Sequence, residues 1–148
     1  MNPNLLAIFD HAMHLRATLS WENESFALEE SPSFDNTNME SFLLWLKDNN
    51  PRKRVEENGA IGFVRVAKSD PNYRNAVWQE LDMRGFTVYP IEEYQKDFLV
   101  ELNNQKFDKV RQEMMGDILV MKEEKLSDFM ADLKEGVKII RELKDLDS

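Results

Sequence analysis

Cysteine is absent from this chain, so disulfides and thiolate metal sites are excluded, as suits a reducing cytosol. Glycine is scarce: five residues, scattered singly, leave no glycine-rich loop to cradle a phosphate, and serine-nucleophile signatures are missing too. No apolar run approaches the roughly 20 residues of a membrane helix, and no basic start, apolar stretch and small-residue cleavage site marks export. The expectation is a soluble, cytoplasmic protein with no membrane partner. Basic side chains are outnumbered, 19 against 28 acidic, for a formal net charge of −9. A sequence-independent grip on nucleic acid needs many cations facing phosphate, which argues against a bulk DNA coat or an architectural protein. An enzyme meeting nucleic acid through a divalent metal stays compatible with that balance.

What is present predicts one compact domain over residues 1–148, because 148 residues at 42% hydrophobic content suffice for a single core. The polar stretch at about 21–38 reads as an exposed excursion tacked down by Phe26, Leu28 and Phe34. Met39, Phe42, Leu43 and Leu46 recur at helical spacing, widened by Trp45 and stopped at Asn49, Asn50 and Pro51. Arg52, Lys53 and Arg54 form the only compact basic cluster, read as a loop before an Asn58, Gly59 turn. Ile61 to Val66 reads as a strand, Pro71 opens a helix carrying Tyr73, Val77, Trp78 and Leu81, Gly85 closes it, and Phe86 to Tyr89 reads as a strand ended by Pro90. Such a strand, helix, strand unit predicts a parallel crossover.

A long helix is expected from about 92 or 93 to Met115, stopped by Gly116. The stretch DILVMKEEKLSDFMADLKEGVKII, Asp117 to Ile140, then reads as strand (Ile118 to Met121), acidic loop, helix capped by Ser127 and Asp128, glycine stop at Gly136, and a further strand from Val137 to Ile140. The resulting fold class is α/β, a three-layer sandwich with a mainly parallel central sheet flanked by helices. In such sheets ligands sit beyond the carboxyl ends of the strands, where these carboxylates fall. The N-terminus supports two readings: one helix over 3–19, or a buried strand Leu5 to Phe9 ended by Asp10 with a helix starting at His11.

The element order, with the phrases LLAIFDHAMHLRATL, IGFVRVAKSDPNYRNAVWQELDMRGFTVYPI and DILVM…SDFMADLKEGVKII, resembles the NYN domains of the PIN-like nuclease superfamily over nearly the whole chain. The resemblance implies catalytic acids at Asp10, Asp97 and Asp128, with Glu101 one turn beyond Asp97 as a further metal ligand. It departs from the family where Asp10 is followed by His11, Ala12 and Met13 in place of Gly, x, Asn, and where the Gly-Asp of the later signature falls on Lys125 and Leu126, leaving Glu123 or Glu124 as substitutes.

What the resemblance implies is a metal-dependent endoribonuclease acting on single-stranded RNA. Carboxylates would hold Mg²⁺ or Mn²⁺, which activates a water and neutralises the scissile phosphate, while Arg52, Lys53 and Arg54 hold the backbone. The same carboxylates have a plainer reading as helix caps and dipole partners. The alternative function is accordingly a catalytically inactive α/β protein that uses an acidic surface to engage or inhibit another protein, as a mimic of nucleic-acid charge. His11 and His14 read as solvent-facing or partly packed side chains. Met114, Met115, Met121 and Met130 read as core filler. Trp21, Trp45 and Trp78 read as core or base-stacking residues.

Overall fold

A computed structural model describes residues 4–22, 25–104 and 108–146, with side chains of the last helix described to Gly136. The chain forms two compact units, residues 1–92 and 93–148. The first begins with strand β1, Leu5–Phe9, in which all five residues are buried. The segment Leu15–Ser20 is β2, and Ser25–Leu28 is β3. One helix over 3–19 is excluded; of the other reading, the strand Leu5–Phe9 ended by Asp10 stands, and the helix from His11 is replaced by β2. Leu15, Ala17 and Leu19 are buried with polar neighbours between them, the two-residue period of a strand. A tight turn at 10–14, with Met13 at φ 58°, joins β1 to β2.

Helix α1, Thr37–Asp48, buries Met39, Phe42, Leu43 and Leu46 on one face, as the spacing predicts. Burial of each such side chain stabilises the unit by roughly 1.5–3 kcal/mol. Arg52–Glu57 is strand β4 and not a loop, and Ala60–Arg65 is β5. Asn58 and Gly59, at φ 53° and 80°, form a two-residue turn with both central residues left-handed, the geometry that twists two strands into a hairpin. Helix α2, Tyr73–Met83, and strand β6, Thr87–Ile91, complete the unit.

The central parallel sheet is therefore corrected. One sheet has the order β3-β2-β1-β6 with every pair antiparallel, and β4 and β5 form a separate antiparallel pair. The expected crossover fails because the turn at Asn58 and Gly59 hands β5 to β4, leaving β6 to pair with β1. Strand β6 also runs through Pro90, which is opposite Leu6. A proline is tolerated there because β6 is an edge, so the missing N–H faces away from the ladder. Helices α1 and α2 cover one face of the four-stranded sheet: Leu6, Ile8, Ala17, Leu19 and Val88 pack with Phe42, Leu43, Val77 and Leu81. The excursion at 21–38 contains β3, whose Phe26 and Leu28 pack against this core.

The second unit is helical among its described residues: α3 (Glu93–Asn103), α4 (Asp108–Val120) and α5 (Glu123–Leu146). The long helix expected over 92–115 is thus α3 followed by part of α4, and the strands expected at Ile118 to Met121 and at Val137 to Ile140 are corrected. Arg111, Met115 and Ile118 are buried at helical spacing, and Val120 is 85% exposed, which no strand covered on both faces would allow. Residues 137–140 lie inside α5. Gly116 and Gly136 do not stop their helices, because an isolated glycine costs only about 1 kcal/mol and the surrounding pattern stays helical. The amide of Gln95 bridges α3 to α4, donating to the carbonyls of Ile118 (3.2 Å) and Leu119 (3.0 Å) near the end of α4. No described helix is long and apolar enough to cross a membrane.

Candidate functional site

Asp10 stands where the strand reading of the N-terminus puts it, at the end of β1, and is 6% exposed. Its carboxylate is already engaged. Oδ1 accepts the amides of Ala12 (2.8 Å) and His14 (3.0 Å), while Oδ2 accepts Nε and Nη2 of Arg16, each at 2.8 Å, with His14 Nδ1 at 3.4 Å. Burial would raise this carboxyl's pKa. The amide of His14, the bonds and charge of Arg16, and the amide of Ala12 outweigh it and hold the pKa below the ordinary carboxylate value.

Arg16 extends the network: Nη1 donates to the Asp35 carbonyl (2.9 Å) and to Oδ1 of Asn36 (3.1 Å), and the guanidinium lies 4.0 Å from the centre of the Phe34 ring. The amide of Asn36 donates back to the carbonyls of Arg16 and Glu29. Asp10 and Arg16 thus latch the β1–β2 turn onto the approach to α1. His14 packs on Phe34 at 5.2 Å, and His11 is exposed in the turn.

The other expected acids lie in the helical unit. Asp97 and Glu101 are exposed on α3, where Glu101 pairs with Lys134 of α5 at 2.6 Å. Asp128 is exposed within α5, past its first turn, because the helix begins at Glu123 and not at Ser127. Among the described residues, no three of the His, Asp and Glu side chains are grouped so as to hold a metal ion. Two members of the basic cluster are also engaged: Arg52 binds the fully buried Glu80 (Nε to Oε1, 2.7 Å), and Arg54 pairs with Glu56 at 3.3 Å.

A different place in the first unit has the form of a binding site. Leu19 and Ser20 from the end of β2, Trp21 just beyond it, Phe26 from β3, Leu43, Leu46 and Lys47 from α1, and Lys68 and Tyr73 line a cleft with a cavity of about 60 Å³. Its lining is aliphatic and aromatic, with Trp21 and Tyr73 edge to face at 6.3 Å. Cations surround it. Lys47 Nζ lies 4.9 Å from the Phe26 ring centre, the Arg74 guanidinium lies 5.3 Å from that of Trp21, and Lys68 is part of the lining. No carboxylate lines the cleft among the described residues, and neither lysine has an ion-pair partner among them. Within a chain of net charge −9, this is a local reversal of sign.

Arg16, Lys47, Lys68 and Tyr73 are functional candidates that the sequence reading passed over. The alternation of Leu15, Ala17 and Leu19, followed after a few polar residues by Phe26 and Leu28, carried the hairpin signal that would have brought Trp21 and Phe26 together. No family model, curated protein or solved structure matches this chain.

Proposed function

We propose that this chain is a binding protein whose cleft between β2, β3, α1 and the start of α2 takes a bulky apolar side chain flanked by carboxylates on a segment of another protein. The carrying observation is the pair Lys47 and Lys68, without acid partners among the described residues, in the lining of a largely apolar and aromatic cleft in an otherwise acidic chain. The cavity of about 60 Å³ suits part of one side chain and not a cofactor. Binding would bury the anchor against Leu43, Leu46 and Trp21. The lysines would then supply charge complementarity, which favours acidic segments over basic ones and speeds encounter.

This reading keeps the expectation of a protein partner but moves the contact from an acidic surface to a cationic one. The metal-dependent ribonuclease asks Asp10 to be an open ligand for Mg²⁺ or Mn²⁺. Four close donors on its two oxygens support a structural role instead.

Fluorescence anisotropy with labelled acidic peptides, each carrying a single Leu, Phe or Trp, tests the proposal. Saturable binding that weakens with salt and is lost in the Lys47→Glu, Lys68→Glu double variant is expected. Binding indifferent to that charge reversal would overturn it. Mn²⁺-dependent RNA cleavage abolished by Asp10→Asn would restore the nuclease reading.

A further inference from the structure

Strand edges carry rows of backbone donors and acceptors, and among the described residues of the first unit three of the four edges are blunted. β6 carries Pro90, and β3 is only four residues long. The outer edge of β4 is closed by α2: the amide of Arg52 donates to Glu80 Oε1 (3.0 Å) and that of Arg54 to Gln79 Oε1 (3.1 Å). These two bonds also fix the phase of the hairpin. Since the amides of Arg52 and Arg54 point away from the ladder, so do those of their opposite residues, Arg65 and Phe63, and by the same alternation that of Ile61.

That fourth edge, β5, has no strand neighbour besides β4 among the described residues and no proline or bulge. It is also apolar: Ile61, Phe63 and Val64 are 56%, 50% and 51% exposed.

We propose that β5 pairs antiparallel with β5 of a second copy of this chain, across a two-fold axis at Phe63, to make a four-stranded sheet. The outward groups of Ile61, Phe63 and Arg65 then find their partners in Arg65, Phe63 and Ile61 of the second copy. Charge favours a like partner. Glu56 and Glu57 stand near the turn of the hairpin, while Arg52, Lys53, Arg54 and Arg65 stand at or towards its open end, so a two-fold operation sets each acidic end beside a basic one. Glu56, opposite Ile61, lies on the same sheet face as Arg65 of the second copy, about two strand spacings or roughly 10 Å away. In the single chain Arg65 donates Nη1 to the Asn50 carbonyl (2.9 Å) and Glu56 pairs with Arg54 (3.3 Å), so pairing across the axis exchanges these exposed contacts for an intermolecular one. In the middle row the two Phe63 rings meet, each flanked by Arg54 of its own copy. Self-complementarity of this kind is what a two-fold contact requires.

Sedimentation of the full chain over a range of concentrations tests the proposal, and a monomer–dimer equilibrium is expected. Phe63→Pro removes an outward amide without touching the ladder to β4, and Ile61→Lys places a charge at the edge; each should abolish the dimer while circular dichroism stays native. Arg65→Glu and Glu56→Lys, taken separately, should weaken self-association by roughly tenfold or more, and mixing the two variants should restore association as a heterodimer. This last pair decides the matter should Phe63→Pro misfold. A chain that stays monomeric at its solubility limit, a dimer that survives Ile61→Lys, or a charge-swapped mixture that fails to associate would each overturn the proposal.

Discussion

Buried carboxylates in this protein are committed to arginines, and that commitment defines what single substitutions should do. Glu80 is fully buried and accepts Nε and the amide of Arg52, with Arg84 Nε at 3.7 Å. Replacing it with Gln keeps the shape but removes the charge that Arg52 faces, so Glu80→Gln should lower unfolding stability by about 1–3 kcal/mol in urea titrations, and Glu80→Ala by more. Asp10→Asn keeps an acceptor for the amides of Ala12 and His14 but leaves the Arg16 guanidinium without its anion. A loss of about 1–3 kcal/mol is expected there too, with Asp10→Ala costlier, and the same titrations check it. The residue that the family resemblance makes a catalyst is expected to behave as a structural latch.

At the scale of elements, glycine context separates what was legible from what was not. Helices α1 and α2 were readable because Met39, Phe42, Leu43 and Leu46, and likewise Val77 and Leu81, hold the helical period between clear stops. β1 was readable as an apolar run and Asp10 as its end. The charged strand β4 was hidden because Arg52, Lys53, Arg54, Glu56 and Glu57 look solvated; its pairing is decided by a turn two residues long and by α2 beneath it. The C-terminal parts of α4 and α5 were hidden by Gly116 and Gly136, which read as stops although both helices run on past them. The candidate site shared this fate: Asp10 was found, but its partner Arg16 was not, since the pair meets across a turn that only strand pairing creates. Two tests follow. Gly136→Ala should raise stability by about 0.5–1 kcal/mol in thermal melts, as a Cβ at Gly136 meets nothing within 4 Å. Gly59→Val should do the reverse, by about 1 kcal/mol or more, because φ of +80° strains a branched residue despite open space around it.

For the whole molecule, the lowered pKa values act together. Glu80 would be raised by burial, but the bonds and charge of Arg52 and the charge of Arg84 outweigh that and bring it below its ordinary 4.5. Asp10 is lowered likewise, and Asp35, held by the hydroxyl and amide of Thr37, falls below its ordinary 3.8. A carboxyl more acidic when folded than when unfolded contributes its full stability above the unfolded value and loses it as pH falls through the folded one. Melting temperature should therefore hold steady near neutrality and drop once pH falls below about 4.5. Glu80→Gln should flatten part of that drop.

The position of β1 between β2 and β6 also sets a timetable. Its pairing with β2 closes a turn of a few residues, whereas Leu5 meets Ile91 and Phe9 meets Thr87 across roughly 80 intervening positions. Strand β6 follows β2 by roughly 70 residues, so during synthesis at about 5–20 residues per second the second partner of β1 emerges about 4–14 seconds after the first. Throughout that interval one edge of a five-residue apolar strand stands without its neighbour. The nascent chain, more than the finished protein, is where a chaperone would find its target.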